Sequence, residues 1–446
     1  MNEHNDLNSE QQLNRRKFLK TTSTAVVGGT LLGSLSIERS AFAAGDDTLK
    51  IALIGCGGRG SGAASQALST KGSVKLVAMA DAFQDRIDGS LQELAAKHKD
   101  QVEVSDDHKF VGFDAYKNAI SLADVVILAT PPGFRPIHFE EAVRQGKNIF
   151  MEKPVATDAP GVRRVLAAAE EAKKKNLKIG VGLQRHHQKG YLETMQRLHD
   201  GAIGDIVSMR AYWNGSTPWV KPRKELEQKY GRSLTEMEYQ MRNCYYFVWL
   251  CGDHIVEQHI HNLDVINWLK NGYPVRAHGM GGCETRKGRD YGEIFDHHAV
   301  EFEYADGSRL FSQCRHQNGC WSNVSEHAQG TKGTVDISRY IVRGENASRF
   351  SEEKPRDPYQ QEHDDLFAAI RNNTTYSEAE NGAKSSMTSI LGRMATYSGK
   401  VIEWDDAIKS QVDVMPKEFS WEALPQSLPG PDGMYARAVP GKSVVT

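Results

Sequence analysis

The sequence predicts an α/β fold: a doubly wound parallel sheet in the first half, then an α/β domain with a large open, mainly antiparallel sheet. Three observations carry this. Between residues 48 and 183, short and nearly continuous apolar runs alternate with segments of helical period, as parallel strands covered on both faces require. The first run leads straight into a glycine-rich turn, Gly55-Cys56-Gly57-Gly58-Arg59-Gly60. After about Gln184 the runs alternate apolar and polar residues, as strands with one wet face do.

Leu49 to Ile54 reads as a buried strand. The GxGxxG behind it allows a tight turn and close approach of a pyrophosphate, with the free N–H groups of a following helix aimed at the anion. Small residues follow (Ser61, Gly62, Ala63, Ala64), and Gln66 to Ser69 reads as that helix. Val74 to Ala80 is the next strand and Asp81 stands at its end, about twenty residues past the glycines, where the dinucleotide fingerprint places an acidic residue. A carboxylate there accepts from a ribose 2′-OH and repels a 2′-phosphate, which favours NAD over NADP. Asp124 to Ala129 is a strand ending in Thr130-Pro131-Pro132, Pro136 to Gln145 a helix carrying His138, and Asn148 to Met151 a strand ending in Glu152-Lys153-Pro154. Ala159 to Lys175 is a helix and Lys178 to Leu183 a strand. Ligands on such sheets sit at the carboxyl ends of strands, so the three strand ends face one crevice.

In the second half, Ile206 to Trp213, Pro274 to Gly279, His298 to Tyr304 and Ser308 to His316 read as strands, with Asp306-Gly307 as a hairpin turn. Gly330 to Val335 continues the series. Ser216 to Arg242 is a long polar insert, and Gln360 to Asn372 and Ala379 to Gly399 read as helices. The stretch after Val414 is punctuated by Pro and Gly and is expected to wrap the surface. The organisation is therefore a dinucleotide-binding domain over 48–183, a substrate and oligomerisation domain over 184–358, helices packing back over 359–410, and a tail over 411–446.

Composition narrows the function. With 55 Lys plus Arg against 57 Asp plus Glu, the 446-residue chain has a formal charge of -2. That balance argues against a nucleic-acid partner, which calls for an excess of cations. Asn14-Arg15-Arg16-Lys17-Phe18-Leu19-Lys20, the uncharged stretch Thr21 to Ile37 and Ala41-Phe42-Ala43 fall in the order of a twin-arginine export signal cut after Ala43. The expectation is a periplasmic or otherwise exported protein with no stable membrane span in the mature chain. Cys56, Cys244, Cys251, Cys283, Cys314 and Cys320 form no metal-binding spacing and are expected as free thiols.

The glycine turn, Ala129-Thr130-Pro131-Pro132, Glu152-Lys153-Pro154, the helix expected over His254 to Trp268 and Gly330-Thr331-Lys332-Gly333-Thr334 together resemble the Gfo/Idh/MocA family of glucose-fructose oxidoreductase and inositol dehydrogenase, over nearly all of residues 48 to 410. The resemblance implies NAD(P), hydride transfer on a sugar, polyol or related carbonyl, and a homodimer or homotetramer built through the open sheet; export then requires the NAD to be tightly bound. It places the family's catalytic lysine at Lys153 and its catalytic histidine at His261. The family's aspartate four residues earlier is Glu257 here, one methylene longer.

Those residue types suit the chemistry. Oxidation of a secondary alcohol needs a hydride acceptor, a base for the hydroxyl proton and a donor for the developing oxyanion. A neutral His261 fits the base and Lys153 the donor, while Glu257 one helical turn before His261 would share its face. Arg185 and His186 are expected to point into the crevice. Trp213, Tyr245, Tyr246 and Trp249 are candidates to stack on a carbohydrate, with His254 beside them. His254, Glu257 and His261 match no zinc spacing, so no metal is expected. An exported enzyme must return its cofactor to the starting redox state. Two schemes do so: paired oxidation and reduction of sugars, or redox-neutral glycoside hydrolysis by oxidation, elimination, water addition and re-reduction. A non-catalytic sugar-binding protein is the remaining alternative.

Overall fold

The computed structural model describes residues 47–446; the proposed export signal lies outside them. A six-stranded parallel sheet is formed by β1 (Leu49–Ile54), β2 (Val74–Asp81), β3 (Lys109–Val111), β4 (Val125–Leu128), β5 (Asn148–Met151) and β6 (Ile179–Val181), in the order β3-β2-β1-β4-β5-β6. Strand order reverses between β1 and β4, the switch point where such sheets bind ligands. The inner strands are buried along their length, Ile51 to Ile54 and Val125 to Leu128 included, because helices cover both faces.

The second sheet has nine strands: β7 (Ile206–Gly215), β8 (Arg276–Gly282), β9 (His297–Glu303), β10 (Arg309–His316), β11 (Asn323–Gly330), β12 (Gly333–Asp336), β13 (Ile341–Gly344), β14 (Ser348–Arg349) and β15 (Ile402–Glu403). Their order is β14-β13-β12-β11-β7-β10-β9-β8-β15, antiparallel except for the parallel pair β7 and β10. The β9–β10 hairpin turns at Asp306-Gly307, with Gly307 at φ +82°. One face alternates cleanly: Leu310, Ser312 and Cys314 of β10 are buried while Phe311 and Gln313 are exposed.

A 20-residue helix, Ala379–Ser398, ties the two sheets together. Its Gly382 lies where a Cβ would touch Val181 and Val155, and its Gly392 where one would meet Phe302 and Ile255. Ser386 Oγ accepts from the Val155 N–H (3.1 Å), and Arg393 Nη1 donates to the Gly252 carbonyl (2.9 Å).

Three departures from the sequence reading matter for the site. The helix after the glycine turn begins at Gly58 rather than beyond the small residues. The polar insert contains two short helices, Arg223–Tyr230 and Glu236–Arg242. The segment His254 to Trp268 is not one helix: His254–Glu257 ends after one turn and Ile260–Lys270 starts afresh. Side-chain anchors on both sides of the break hold it open, Asp253 accepting from the His254 N–H and Ser312 bonding His259 Nε2 (2.7 Å). The tail after Val414 packs on the first sheet's loops: Trp421 lies 4.7 Å from Phe113 and 5.1 Å from Phe83 between ring centroids, and Phe419 lies 5.4 Å from Phe134. All six cysteines are free thiols.

Candidate active site

A cleft of about 810 Å³ runs along the carboxyl ends of the parallel strands. Its floor is the glycine turn. Gly55 has φ +97°, and a Cβ on it would strike the backbone of Ala129 and Thr130. A Cβ on Gly60 would strike the Gly55 carbonyl. These two glycines serve the fold. A Cβ on Gly57 or Gly58 would meet nothing within 4 Å, so these two keep the cleft floor open. Gly57 caps the 11-residue helix Gly58–Leu68 without offering a side-chain acceptor to its first-turn N–H groups. An open cradle before an uncapped helix N-terminus fits a pyrophosphate.

Around that floor, Asp81 accepts from the N–H groups of Cys56 (2.7 Å) and Phe83 (3.0 Å), bracing the turn while remaining on the cleft wall. Burial raises its carboxyl above the ordinary range. Thr130, Pro131 and Pro132 line the cleft, and Thr130 Oγ1 meets His138 Nδ1 at 3.2 Å. Burial and the nearby Arg135 hold His138 neutral, its pKa pushed down to about 3. Arg59 pairs with Glu152 at 2.7 Å.

The other end of the cleft joins both sheets. Lys153, just past β5, donates from Nζ to the Glu257 carbonyl (2.8 Å) and lies 3.3 Å from Glu257 Oε1. His261 stands on the same cleft with Nδ1 unpartnered. Burial, with the charges of Lys153 and Arg185, drives its pKa well below the usual imidazole value, so the ring is neutral and able to take a proton. Trp213 stacks on this ring, centroids 5.9 Å apart, and lies outside the cleft lining.

The helical break separates Glu257 from His261: Glu257 pairs with Lys153 instead of sharing a continuous face with the imidazole. Several expected substrate contacts fall elsewhere. Arg185 is spent on a buried ion pair with Glu326, and His186 bonds Asp264 at 2.7 Å. Tyr246 is fully buried and donates to the Trp219 carbonyl (3.0 Å); Trp249 donates to Gln240 Oε1 (2.7 Å) within the core. His254 turns away from the cleft and donates to Asp253 (2.8 Å). Large aromatic and cationic side chains satisfied these positions by packing and pairing, which residue type alone does not reveal. Tyr245 does line the cleft.

The structure adds Arg86, Phe113, Trp219, Lys221, Gln258 and Tyr359 to the cleft wall. Gln258 neighbours Glu257 in the chain, a signal that was there to follow. Phe113, Trp219 and Lys221 come from loops with no local pattern, and Arg86 and Tyr359 from the first turns of the helices Gln84–Lys97 and Pro358–Asn372. Among the described residues, Asp253, His254 and His298 hold donor atoms within 4.8 Å of one another. Asp253 already accepts from the Phe295 N–H (2.9 Å) and the Tyr397 hydroxyl (2.6 Å) as well as from His254, so hydrogen bonds satisfy the carboxylate without an ion.

Residues 49–181 match the family model described as the oxidoreductase family, NAD-binding Rossmann fold, GFO_IDH_MocA. Residues 49–181 are thus similar to the NAD-binding domain of that family. Similar curated proteins include an inositol 2-dehydrogenase of Ralstonia nicotianae, 29% identical over 272 residues (59% of this chain, 66% of the relative). Another, from Rhizobium meliloti, is 30% identical over 159 residues (36% and 43%). An uncharacterized oxidoreductase of Streptococcus pneumoniae is 24% identical over 222 residues (50% and 54%). The chain thus spans about half the length of the curated relatives it matches. Among solved structures, the aldose-aldose oxidoreductase of Caulobacter crescentus complexed with glycerol superposes with TM-score 0.62 at 16% identity, covering 80% of this chain and 99% of that one. The scyllo-inositol dehydrogenase of Lactobacillus casei with NAD(H) and scyllo-inositol gives TM-score 0.58 at 20% identity, covering 80% and 99%. At these identities the superpositions show a shared fold.

Proposed function

We propose that the protein is an NAD-dependent oxidoreductase acting on a secondary alcohol of a sugar, cyclitol or glycoside, with the cofactor retained and recycled in place. The observation that carries this is the meeting of Lys153 and His261, one from each sheet's end of the chain, in the cleft that starts at the glycine cradle. Bound NAD supplies the hydride acceptor. His261, neutral through burial, takes the hydroxyl proton as the alcohol carbon gives up hydride. Lys153, fixed by the Glu257 carbonyl, donates to the oxygen whose charge grows in the transition state. Recycling needs a carbonyl to take the hydride back, on a second sugar or on the same carbon, and His261 then returns the proton.

Retention is supported by the tail: Phe419 and Trp421 back the aromatic wall of Phe83, Phe113 and Phe134, which bounds the far end of the cleft. An export signal in residues 1–43 would demand such retention. The outer face of the nine-stranded sheet exposes Met280 (78%) and Phe311 (45%), which favours pairing with a second copy there.

The test is incubation of purified protein, without added cofactor, with myo-inositol, free hexoses and aryl glycosides. Nicotinamide released on denaturation together with carbonyl product supports the reading. Aglycone release with no net oxidation selects the redox-neutral glycosidase. Protein that neither contains nor binds NAD overturns the proposal.

A further inference from the structure

Behind the cleft lies a chain of buried hydrogen bonds that ends at a residue outside the proposed proton and hydride chemistry. Arg286 is 2% exposed and His316 1% exposed. Arg286 Nη1 lies 3.3 Å from His316 Nδ1. A guanidinium only donates, so Nδ1 must accept and the imidazole proton sits on Nε2. Burial, aided by His254 and Arg286, keeps this imidazole uncharged, consistent with a single ring proton. His316 Nε2 lies 2.7 Å from Gln258 Oε1. With Nε2 obliged to donate, the Gln258 oxygen must be the acceptor, which fixes which end of the amide is which.

The consequence falls on the free end. Gln258 lines the cleft beside Glu257 and His261, and its Nε2 has no protein acceptor among the described residues. Tyr245, on the same wall, has a hydroxyl that is likewise unpartnered and buried. We infer that Gln258 is a substrate-orienting donor, held by Arg286 and His316 so that its amide N–H groups bind an oxygen next to the reacting carbon. The inference rests on the proposed oxidoreductase reading and deepens it. The ligand class it selects is a polyol or sugar with a second oxygen, hydroxyl or carbonyl, vicinal to the alcohol being oxidised. A simple monohydric alcohol that displaces water from this half-buried donor leaves it unmatched, which disfavours that alcohol.

The experiment uses NAD-loaded protein with myo-inositol, methyl β-D-glucopyranoside and its monodeoxy analogues as probes. Gln258→Glu keeps the acceptor for His316 and removes the donors; Gln258→Leu removes both; His316→Phe frees the amide. In the two Gln258 variants KM for the accepted probe should rise about tenfold or more while NAD affinity stays as in wild type. One deoxy analogue should be penalised in wild type and not further penalised in Gln258→Leu. His316→Phe should give an intermediate rise in KM. A merely structural role moves folding and NAD binding together and leaves the deoxy pattern alone. Unchanged KM, or the same deoxy penalties in wild type and variants, overturns the inference. If wild type binds NAD and the probes yet oxidises none, the function reading fails, and the Kd of each probe by tryptophan fluorescence still decides the role of Gln258: equal values in wild type and Gln258→Leu sink it. Absence of binding by every probe overturns both.

Discussion

Lys153 Nζ donates to the backbone carbonyl of Glu257 at 2.8 Å, joining the end of β5 to the one-turn helix that precedes His261. The bond is to main chain, so substituting Glu257 leaves it intact while substituting Lys153 removes both the bond and the charge. Lys153→Ala should lower the hydride-transfer rate about 100-fold or more with NAD still bound, measured by single-turnover absorbance. Glu257→Gln should cost far less. Equal losses in the two variants would show that the carboxylate, and not the ammonium, carries the effect.

The four glycines of the turn divide into two kinds, and mutation should separate them. Gly60→Ala drives a Cβ into the Gly55 carbonyl and should destabilise the fold by about 2 kcal/mol or more, read as a fall in Tm. Gly58→Ala meets no protein atom, so Tm should hold while NAD affinity falls about tenfold from blocked approach of the pyrophosphate. Matching changes in Tm for both would refute the division.

Trp421 touches Phe113 and Phe83 and is half-buried against them. Trp421→Ala removes two aromatic contacts of about 0.5–1.5 kcal/mol each. Cofactor dissociation, followed after dilution by stopped-flow fluorescence, should quicken about tenfold with little change in KM for the alcohol. An unaltered dissociation rate would detach the tail from cofactor retention.

Acid should weaken the fold through its buried imidazoles. His138 and His259 have pKa values pushed down to about 3 and His254 to about 4, burial being the largest cause for each. An unfolded chain protonates the same groups near pH 6.5, so between about 6.5 and 4 it binds protons that the folded state refuses. Their contribution is therefore full above 6.5 and declines as pH falls through this window, by about 1.4 kcal/mol per unit for each such histidine. Urea titrations at pH 7 and 5 measure it; equal stability at both would contradict the buried neutral state.

The first sheet was legible because its strands are buried on both faces and read as plain apolar runs, and because the glycine spacing has a steric cause. β11 was missed: Asn323-Val324-Ser325-Glu326-His327 buries Glu326, whose carboxylate is bonded by Asn262, Arg185 and Tyr191, contacts that no local pattern encodes. Lys153, Glu257 and His261 were locatable as positions, and the cleft gathers all three. Their mutual arrangement was not, since the break after Glu257 depends on Ser312 and His316 from a strand more than 50 residues away. Tyr246 and Trp249 illustrate the converse. An aromatic residue near a site is as readily core as platform, and only the partner of its polar atom tells which.

The helix Ala379–Ser398 is bolted to Val155 on one side and to the Gly252 carbonyl on the other, with both bonds out of reach of water. Rocking one half of the molecule against the other would have to break them. The cleft is thus framed like a vice with a fixed jaw, and Trp219 and Lys221 on its wall are themselves tied down, the first through Tyr246 and the second through Asn243.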